Sequence, residues 1–169
     1  VVDYLKKRKE KIDFWIGGEP TNPNKLGEMI KIGRRGSISG TIIISGSQGH
    51  VAYPHLSNNP INTLVKICKK LNEHKLDKGN KNFQPSNLEI TAINVNNAAT
   101  NVIPASARAQ FNVRFNNLHT SHSLKKKINS VVKNLCKKNK CEFKIDFHVS
   151  GESFLTNPNK TIYMAKNIC

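Results

Sequence analysis

The sequence predicts an α+β domain in which one antiparallel sheet carries two helices on one face. Four segments within residues 37–149 alternate apolar and polar side chains, fully or in part, with the period of two that half-buried strands show. Two other segments repeat apolar residues every three or four positions, as amphipathic helices do. The order along the chain is strand, helix, strand, strand, helix, strand. This is the ferredoxin-like β-α-β-β-α-β arrangement.

The first half of this pattern begins with residues 37–45, which are rich in Ile and Thr and predict a strand. Pro60 suits the first turn of a helix. That helix is expected to end near residue 74 or 75, and its apolar stripe consists of Leu64, Ile67, Cys68 and Leu71. Residues 88–93 alternate as the second strand.

The second half begins with residues 107–115, which alternate almost without error and place Arg114 on the polar face. Thr120 or Ser121 is expected to cap the next helix, whose apolar stripe is Leu124, Ile128, Val131, Val132 and Leu135. Residues 141–149 form the last strand. Outside this domain, short strands are predicted at 12–16 and 29–32, and a helix from residue 161 onward.

Composition excludes some function classes. The 169 residues have a net charge of +16, which would suit an acidic partner, but the lysines are scattered and nucleic-acid binding is not expected. An RNA-recognition motif would need a glycine and exposed aromatics on the strand at 110–115, where both Phe instead share the apolar register. No stretch contains the roughly 18 to 20 apolar residues of a membrane span, and no membrane contact is expected.

Three polar clusters lie in predicted loops, where binding and catalytic residues are often found. Glu19 directly follows a predicted strand, in a position suited to binding metal or substrate. Two His, a Tyr and a Pro lie within residues 47–55, and two Asn and a Thr lie within 97–101. Each cluster also has a plain explanation: a solvated carboxylate, a partly buried histidine, and an ordinary loop in which Asn tolerates unusual dihedral angles.

Five motifs occur in order: G-G-E-P-T-N at 17–22, G-R-R-G-S at 33–37, G-H-V-A-Y-P-H-L-x-x-N-P at 49–60, T-N-V-I-P at 100–104 and F-N-V-R-F at 111–115. Together they resemble the M20 metallopeptidase family, and the resemblance covers nearly the whole chain. The V-A-Y-P-H-L version is most similar to the family's desuccinylases.

The resemblance implies a zinc-dependent amidohydrolase with two zinc ions per active site, or cobalt as the alternative metal. It implies hydrolysis of N-succinyl-LL-2,6-diaminopimelate, a small anionic substrate, by a cytoplasmic homodimer that serves lysine and diaminopimelate biosynthesis. Glu19 matches a metal ligand, and His50 matches a histidine that stabilises the oxyanion in the partner's active site. The resemblance further implies that Arg114, Asn101, Tyr53 and Arg34 bind the substrate.

The family's other metal-binding motifs do not occur in these 169 residues. We therefore expect a piece of a longer enzyme, inactive alone and without a complete zinc site. Residues 1–33 would end the first catalytic segment, 34–149 would form the lid and dimerisation domain, and 150–169 would begin the second catalytic segment. The strand at 37–45 is expected to be the dimer edge. Two alternatives are another M20 amidohydrolase, such as an acetylornithine deacetylase or an aminoacylase, and a non-catalytic, self-associating lid module.

Overall fold

A computed structural model describes residues 2–12, 24–25 and 28–157 of the chain. The chain divides into two compact units, one made of Val1–Lys31 with Pro158–Cys169 and the other of Ile32–Asn157. In the first unit, helix α1 spans Val2–Lys7. The strand predicted at 12–16 lies almost entirely outside the described residues, and the helix predicted from 161 lies wholly outside them, so both stay predictions.

The second unit contains the remaining elements. Its strands are β1 (Gly33–Arg34), β2 (Gly36–Ser45), β3 (Gly49–His50), β4 (Asn87–Asn94), β5 (Val102–Ile103), β6 (Ser106–Phe115), β7 (Glu142–Gly151) and β8 (Phe154–Leu155). Its α-helices are α2 (Pro60–Asn72) and α3 (Ser121–Lys138), and a single 3₁₀ turn covers Pro54–Leu56. No helix in the described part of the chain is long and apolar enough to cross a membrane.

The four long strands form one sheet in the order β4-β6-β2-β7, and every neighbouring pair is antiparallel. The predicted α+β class is confirmed. The prediction that residues 37–45 form a free edge is wrong, because β2 pairs with β6 on one side and β7 on the other. Side-chain alternation reports which face of a strand is buried, but it carries no information about which backbone edges are paired.

Two predicted boundaries also differ from the structure. Residues 29–32 do not form a strand, and β1, which pairs with β8, begins at Gly33. The apolar run was too short to specify a strand, and both Met29 and Ile30 are exposed. Helix α2 ends at Asn72, a few residues earlier than predicted.

The core lies between the sheet and the two helices. From the sheet it receives alternate residues of the central strands, and from the helices the predicted apolar stripes: Ile38, Ile42, Ile44, Phe111, Val113, Phe115, Leu64, Ile67, Leu71, Leu124, Ile128 and Val132. Cys68 is buried in this cluster, as predicted, and burial raises the pKa of its thiol. Each fully buried aliphatic side chain contributes about 1.5–3 kcal/mol of hydrophobic stabilisation.

Helix caps fix where the two helices begin. The side chain of Asn59 accepts a hydrogen bond from the Ile61 N–H at the start of α2. Thr120 and Ser123 form a reciprocal capping box at the start of α3, so the prediction of Thr120 as a cap is confirmed. Each cap satisfies a backbone N–H in the first turn of its helix, which defines where the helix starts.

Gly40, at the centre of β2, should not tolerate a larger residue. A Cβ at this position would collide with the Phe111 ring, which lies over the glycine on the neighbouring strand. We expect Gly40→Ala to lower the free energy of unfolding by about 1–3 kcal/mol, because the packed core must shift to accept it. Urea denaturation measures this loss. The control is Gly151→Ala, whose Cβ would have no atom within 4 Å. Equal losses in both variants would show that ring contact is not the cause.

Candidate functional site

Two of the predicted polar clusters meet at one end of the central sheet. The short strands β3 and β5 pair antiparallel, with Gly49 opposite Ile103 and His50 opposite Val102. The Val51 N–H donates to the Asn101 carbonyl at 3.0 Å. His50 and Asn101, which are 51 positions apart in sequence, therefore belong to one local structure.

The His50 ring is exposed and is oriented by its own loop. Its Nδ1 accepts a hydrogen bond from the Ala52 N–H at 3.1 Å. Because Nδ1 acts as the acceptor, the neutral ring carries its proton on Nε2, which is left as a donor toward a ligand. The Tyr53 ring lies beside it, with centroids 6.2 Å apart. This arrangement can place an N–H donor on a developing negative charge.

The loop that carries His50 is tied to the rest of the unit. Ser47 and Asn58 exchange backbone hydrogen bonds of 3.1 Å across its base. The side-chain amide of Asn58 donates to the carbonyls of Asn139 and Lys140, just after α3, at 2.9 and 2.6 Å. The loop base is therefore anchored to both β2 and α3, which limits the movement of His50.

The predicted arginines lie at the opposite end of the sheet. Arg114 is exposed near the end of β6, where it stands opposite Ser37 of β2 and Asn87 of β4. Arg34 is exposed in β1, opposite Phe154. Arg34 in β1 and Arg114 in β6 therefore both lie near the start of β2, at the same end of the sheet.

The two ends are far apart. Along β2, Ser37 pairs with Arg114 and Ser45 pairs with Ser106, a separation of eight residues. At about 3.3 Å per residue this is roughly 26 Å. The structure therefore brings His50, Tyr53 and Asn101 together at one end of the sheet and places Arg34 and Arg114 at the other.

Arg35 is a polar residue at the arginine end that the sequence argument did not select. Its guanidinium donates to the Pro85 carbonyl at 3.4 Å and to Asn87 Oδ1 at 3.3 Å. The family motif pointed to Arg34. Two adjacent arginines look alike in sequence, so the sequence does not show that Arg35 is the one that bonds to the segment before β4 and to Asn87. The two contacts connect Arg35 with the strand that lies beside Arg114.

A nearly buried polar cluster centred on Asp77 lies beside the arginine end. Asp77 accepts hydrogen bonds from the Gly79 N–H at 2.6 Å, from Asn116 Nδ2 at 2.8 Å and from His119 Nε2 at 3.1 Å. The side chains of Asp77 and His119 are each 9% exposed. Burial alone would raise the pKa of Asp77, but hydrogen bonds from Ser86 and the other donors outweigh it and lower the pKa to about 2.

The described residues do not supply a metal-ligand set. Within residues 2–12, 24–25 and 28–157, no group of three or more His, Cys, Asp or Glu side chains is arranged to hold a metal ion. Glu19, the predicted ligand, lies outside the described residues, so its role stays a prediction. A catalytic zinc ion needs about three protein ligands, and the described part of the chain does not fit that requirement.

Most of the sequence of the second unit matches a known family of domains. Residues 32–140 match the model of the M20 peptidase dimerisation domain, and the chain belongs to this family. The family is generally metal-dependent.

Relatives with a more specific name cover almost the whole chain. A succinyl-diaminopimelate desuccinylase of Pelagibacter ubique is 63% identical over 168 residues, which is 99% of this chain and 44% of that protein. One of Parvibaculum lavamentivorans is 49% identical over 158 residues, 94% of this chain and 40% of that protein. The chain thus spans less than half the length of these relatives.

Solved structures show a similar fold at low identity. A tripeptidase from Staphylococcus aureus superposes with a TM-score of 0.68 at 15% identity, covering 81% of this chain and 35% of its own. Aminopeptidase PepT from Bacillus cereus gives 0.67 at 14% identity, covering 80% of this chain and 35% of its own. These similarities concern the fold alone.

Proposed function

We propose that this chain is the lid and dimerisation part of a zinc-dependent amidohydrolase that hydrolyses N-succinyl-LL-2,6-diaminopimelate to succinate and LL-2,6-diaminopimelate. The observation that carries the proposal is the 63% identity over 168 residues to a protein of that name. The oriented Nε2 donor of His50 beside Asn101 supports it, because amide hydrolysis passes through an oxyanion that needs such a donor. The enzyme would act in the cytoplasm.

The proposed division of the chain assigns residues 1–33 and 150–169 to the catalytic part and 34–149 to the lid. We infer a ferredoxin-like lid, which the strand order, the antiparallel pairing and the placement of α2 and α3 in one core support. Glu19 would be a zinc ligand, with cobalt as the alternative metal, and the other ligands would come from outside this chain. The zinc ions would supply the activated water.

The described residues would bind and orient the substrate. His50 would donate from Nε2 to the oxyanion, and Asn101 and Tyr53 would position the acyl group from the same end. Arg34 and Arg114 would bind substrate carboxylates, for which the planar guanidinium offers paired donors. The net charge of +16 favours the approach of such an anionic substrate.

His50 and Arg114 of one lid would serve two different active sites. About 26 Å of strand separates them, more than a small substrate spans. The chain enters and leaves the second unit at the arginine end, where the Thr156 N–H donates to the Ile32 carbonyl at 2.7 Å. Arg114 would therefore act in its own subunit, and His50 would act in the active site of the partner.

The dimer would form through the edge that β4 and α2 share. This side carries the exposed apolar residues Ile93 and Val65, and β4 is an edge strand of the sheet that the described residues form. The other edge lies beside α3, whose exposed lysines are Lys126, Lys127, Lys133, Lys137 and Lys138. A two-fold axis there would bring these like charges together.

Introducing a charge at the proposed interface should dissociate the dimer. Ile93 is 53% and Val65 is 52% exposed in the single chain. We expect Ile93→Lys or Val65→Lys to raise the dimer Kd at least tenfold, about 1.4 kcal/mol, because each buries a lysine at the two-fold contact. Sedimentation equilibrium measures this change. Leu118→Lys is the matched control, since Leu118 is 56% exposed and lies in the loop between β6 and α3. A stable dimer in both β4–α2 variants would rule out this edge.

Comparison of substrates tests the proposed activity. The full-length protein that contains this chain should hydrolyse N-succinyl-LL-2,6-diaminopimelate with a kcat/KM at least 100-fold above that for N-acetylornithine or N-acetyl amino acids. A preference for an acetyl substrate would instead favour the deacetylase or aminoacylase alternative. No turnover of any amide would favour a non-catalytic, self-associating lid. The 169-residue chain alone should release no succinate when zinc is added.

A further inference from the structure

The segment at residues 77–87, which we call the bridging segment, touches the parts of the chain that carry both candidate substrate-binding arginines. Its Phe83 ring packs on β1, because a Cβ added at Gly33 would lie 3.0 Å from that ring. Gly33 immediately precedes Arg34. The Phe83 ring therefore holds the backbone at Gly33, next to the residue from which the Arg34 side chain extends.

Two hydrogen bonds from Arg35 connect the same segment with the strand pair that carries Arg114. Arg35 donates to the Pro85 carbonyl at 3.4 Å and to Asn87 Oδ1 at 3.3 Å. Asn87 is the cross-strand partner of Arg114. A continuous path of contacts therefore runs from the Arg34 backbone, through the bridging segment, to the strand pair that presents Arg114.

Asp77 anchors the bridging segment to the end of β6. Asn116, two residues after Arg114, is fully buried and donates from its side chain to Asp77 at 2.8 Å and to the Gln84 carbonyl at 3.2 Å. Its backbone N–H donates to the hydroxyl of Ser86 at 3.0 Å. The segment is thus held at its beginning and near its end by buried polar groups, which fix geometry when every partner is satisfied.

We propose that the bridging segment sets the distance between the guanidinium groups of Arg34 and Arg114, with Arg35 and Asp77 as positioning residues, and thereby selects substrates that carry two carboxylates at a fixed separation. The inference rests on the proposed function, in which both arginines bind carboxylates. A preorganised pair of cations loses little conformational freedom on binding a dianion of matching length, whereas a substrate with one carboxylate gains from only one of them.

Arg35→Ala in the full-length protein is the kinetic test. We expect KM for the succinyl substrate to rise about tenfold while kcat changes less than twofold, and the preference for succinyl over acetyl substrates to fall about tenfold. Arg35→Lys should recover part of both, because one donor to the segment remains. Arg108→Ala is the control for the loss of a positive charge. Arg108 is an exposed arginine on the same face of β6 as Arg114, and it pairs with Asn94, at the end of β4 far from the bridging segment. Equal effects in both variants would overturn the proposal.

A second measurement separates this inference from the proposed function. Amide ¹⁵N relaxation on the 169-residue chain reports the rigidity of the backbone from which Arg34 and Arg114 extend, without any substrate. We expect order parameters near 0.85 in the unmodified chain and below about 0.6 at Arg34 or Arg114 in the Arg35→Ala and Asp77→Asn variants. Unchanged order parameters in both would overturn the positioning role even if the enzyme hydrolyses the succinyl substrate. A different result would separate the two proposals. If the order parameters fall in the variants but the unmodified enzyme does not hydrolyse the succinyl substrate, the proposed function is refuted and the positioning role of the bridging segment stands.

Discussion

Mixing two impaired variants of the full-length protein, His50→Ala and Arg114→Ala, should restore activity. Alone, His50→Ala should lower kcat about 100- to 1,000-fold, because it removes an oxyanion donor. Arg114→Ala should lower kcat/KM roughly 10- to 150-fold through the loss of charge-assisted hydrogen bonds to a carboxylate. These losses should be reversed at one of the two sites of the mixed dimer, because each active site would take Arg114 from its own subunit and His50 from the other.

The expected recovery follows from the symmetry of the dimer. In a heterodimer, one active site receives both unmodified residues, and the other receives neither. Equal amounts of the two subunits, refolded together, give heterodimers in about half of the molecules, each with one intact site of two. Activity should therefore reach about one quarter of the unmodified enzyme, and steady-state assay after co-refolding measures it.

A second mixture of variants tests whether activity returns only when the two changes fall in different active sites. Asn101 lies at the His50 end, where its carbonyl accepts from the Val51 N–H. Mixing His50→Ala with Asn101→Ala should give no recovery, because both residues would come from the same lid. No recovery in the first mixture would mean that His50 and Arg114 act in the same active site from the same subunit, and it would overturn their assignment to two different active sites.

The sequence was sufficient for the class of fold and for most helix and strand positions. Residues 107–115 alternate between apolar and polar side chains because one face of β6 is buried under the helices and the other is open. The pairing of β2 on both edges was not predictable, since backbone hydrogen bonds involve groups that every residue has. Alternation could not distinguish the centre of the sheet from its edge.

Parts of the candidate site were hidden for a similar reason. His50 and Asn101 were found as separate clusters, but the two-residue strands that join them are too short to show any period. Asp77 was missed because an Asp shortly before a Gly is typical of an exposed turn. Its burial depends on Asn116 and His119, which are supplied by another part of the chain.

Loss of the Asp77 carboxylate should be among the costliest single changes in this unit. Asp77→Ala would leave nearly buried donors of Asn116, Gly79 and Ser86 without their acceptor. An unsatisfied buried donor costs about 1–3 kcal/mol, so we expect a total loss of about 3 kcal/mol or more in the free energy of unfolding. Asp77→Asn keeps one acceptor oxygen and should lose less. Urea denaturation of the 169-residue chain at neutral pH measures both.

The contribution of Asp77 should also depend on pH in a defined direction. Hydrogen bonding lowers the pKa of this carboxyl in the folded chain from 3.8 to about 2. A lowered folded pKa means that the stabilisation is complete above about pH 4 and is lost as the pH falls toward 2. At 1.36 kcal/mol per pKa unit, the loss is about 2 kcal/mol. The stability difference between the unmodified chain and Asp77→Asn should therefore shrink between pH 6 and pH 2.

Asp146→Asn is the control for general effects of acid. Asp146 lies 3.2 Å from Lys144, but its side chain is 58% exposed, and an exposed pair of this kind contributes at most about 1 kcal/mol. Its difference from the unmodified chain should stay small at every pH. If Asp77→Asn showed the same small, pH-independent difference, the hydrogen bonds to Asp77 would not stabilise its charged form, and the Asp77 cluster could not anchor the bridging segment.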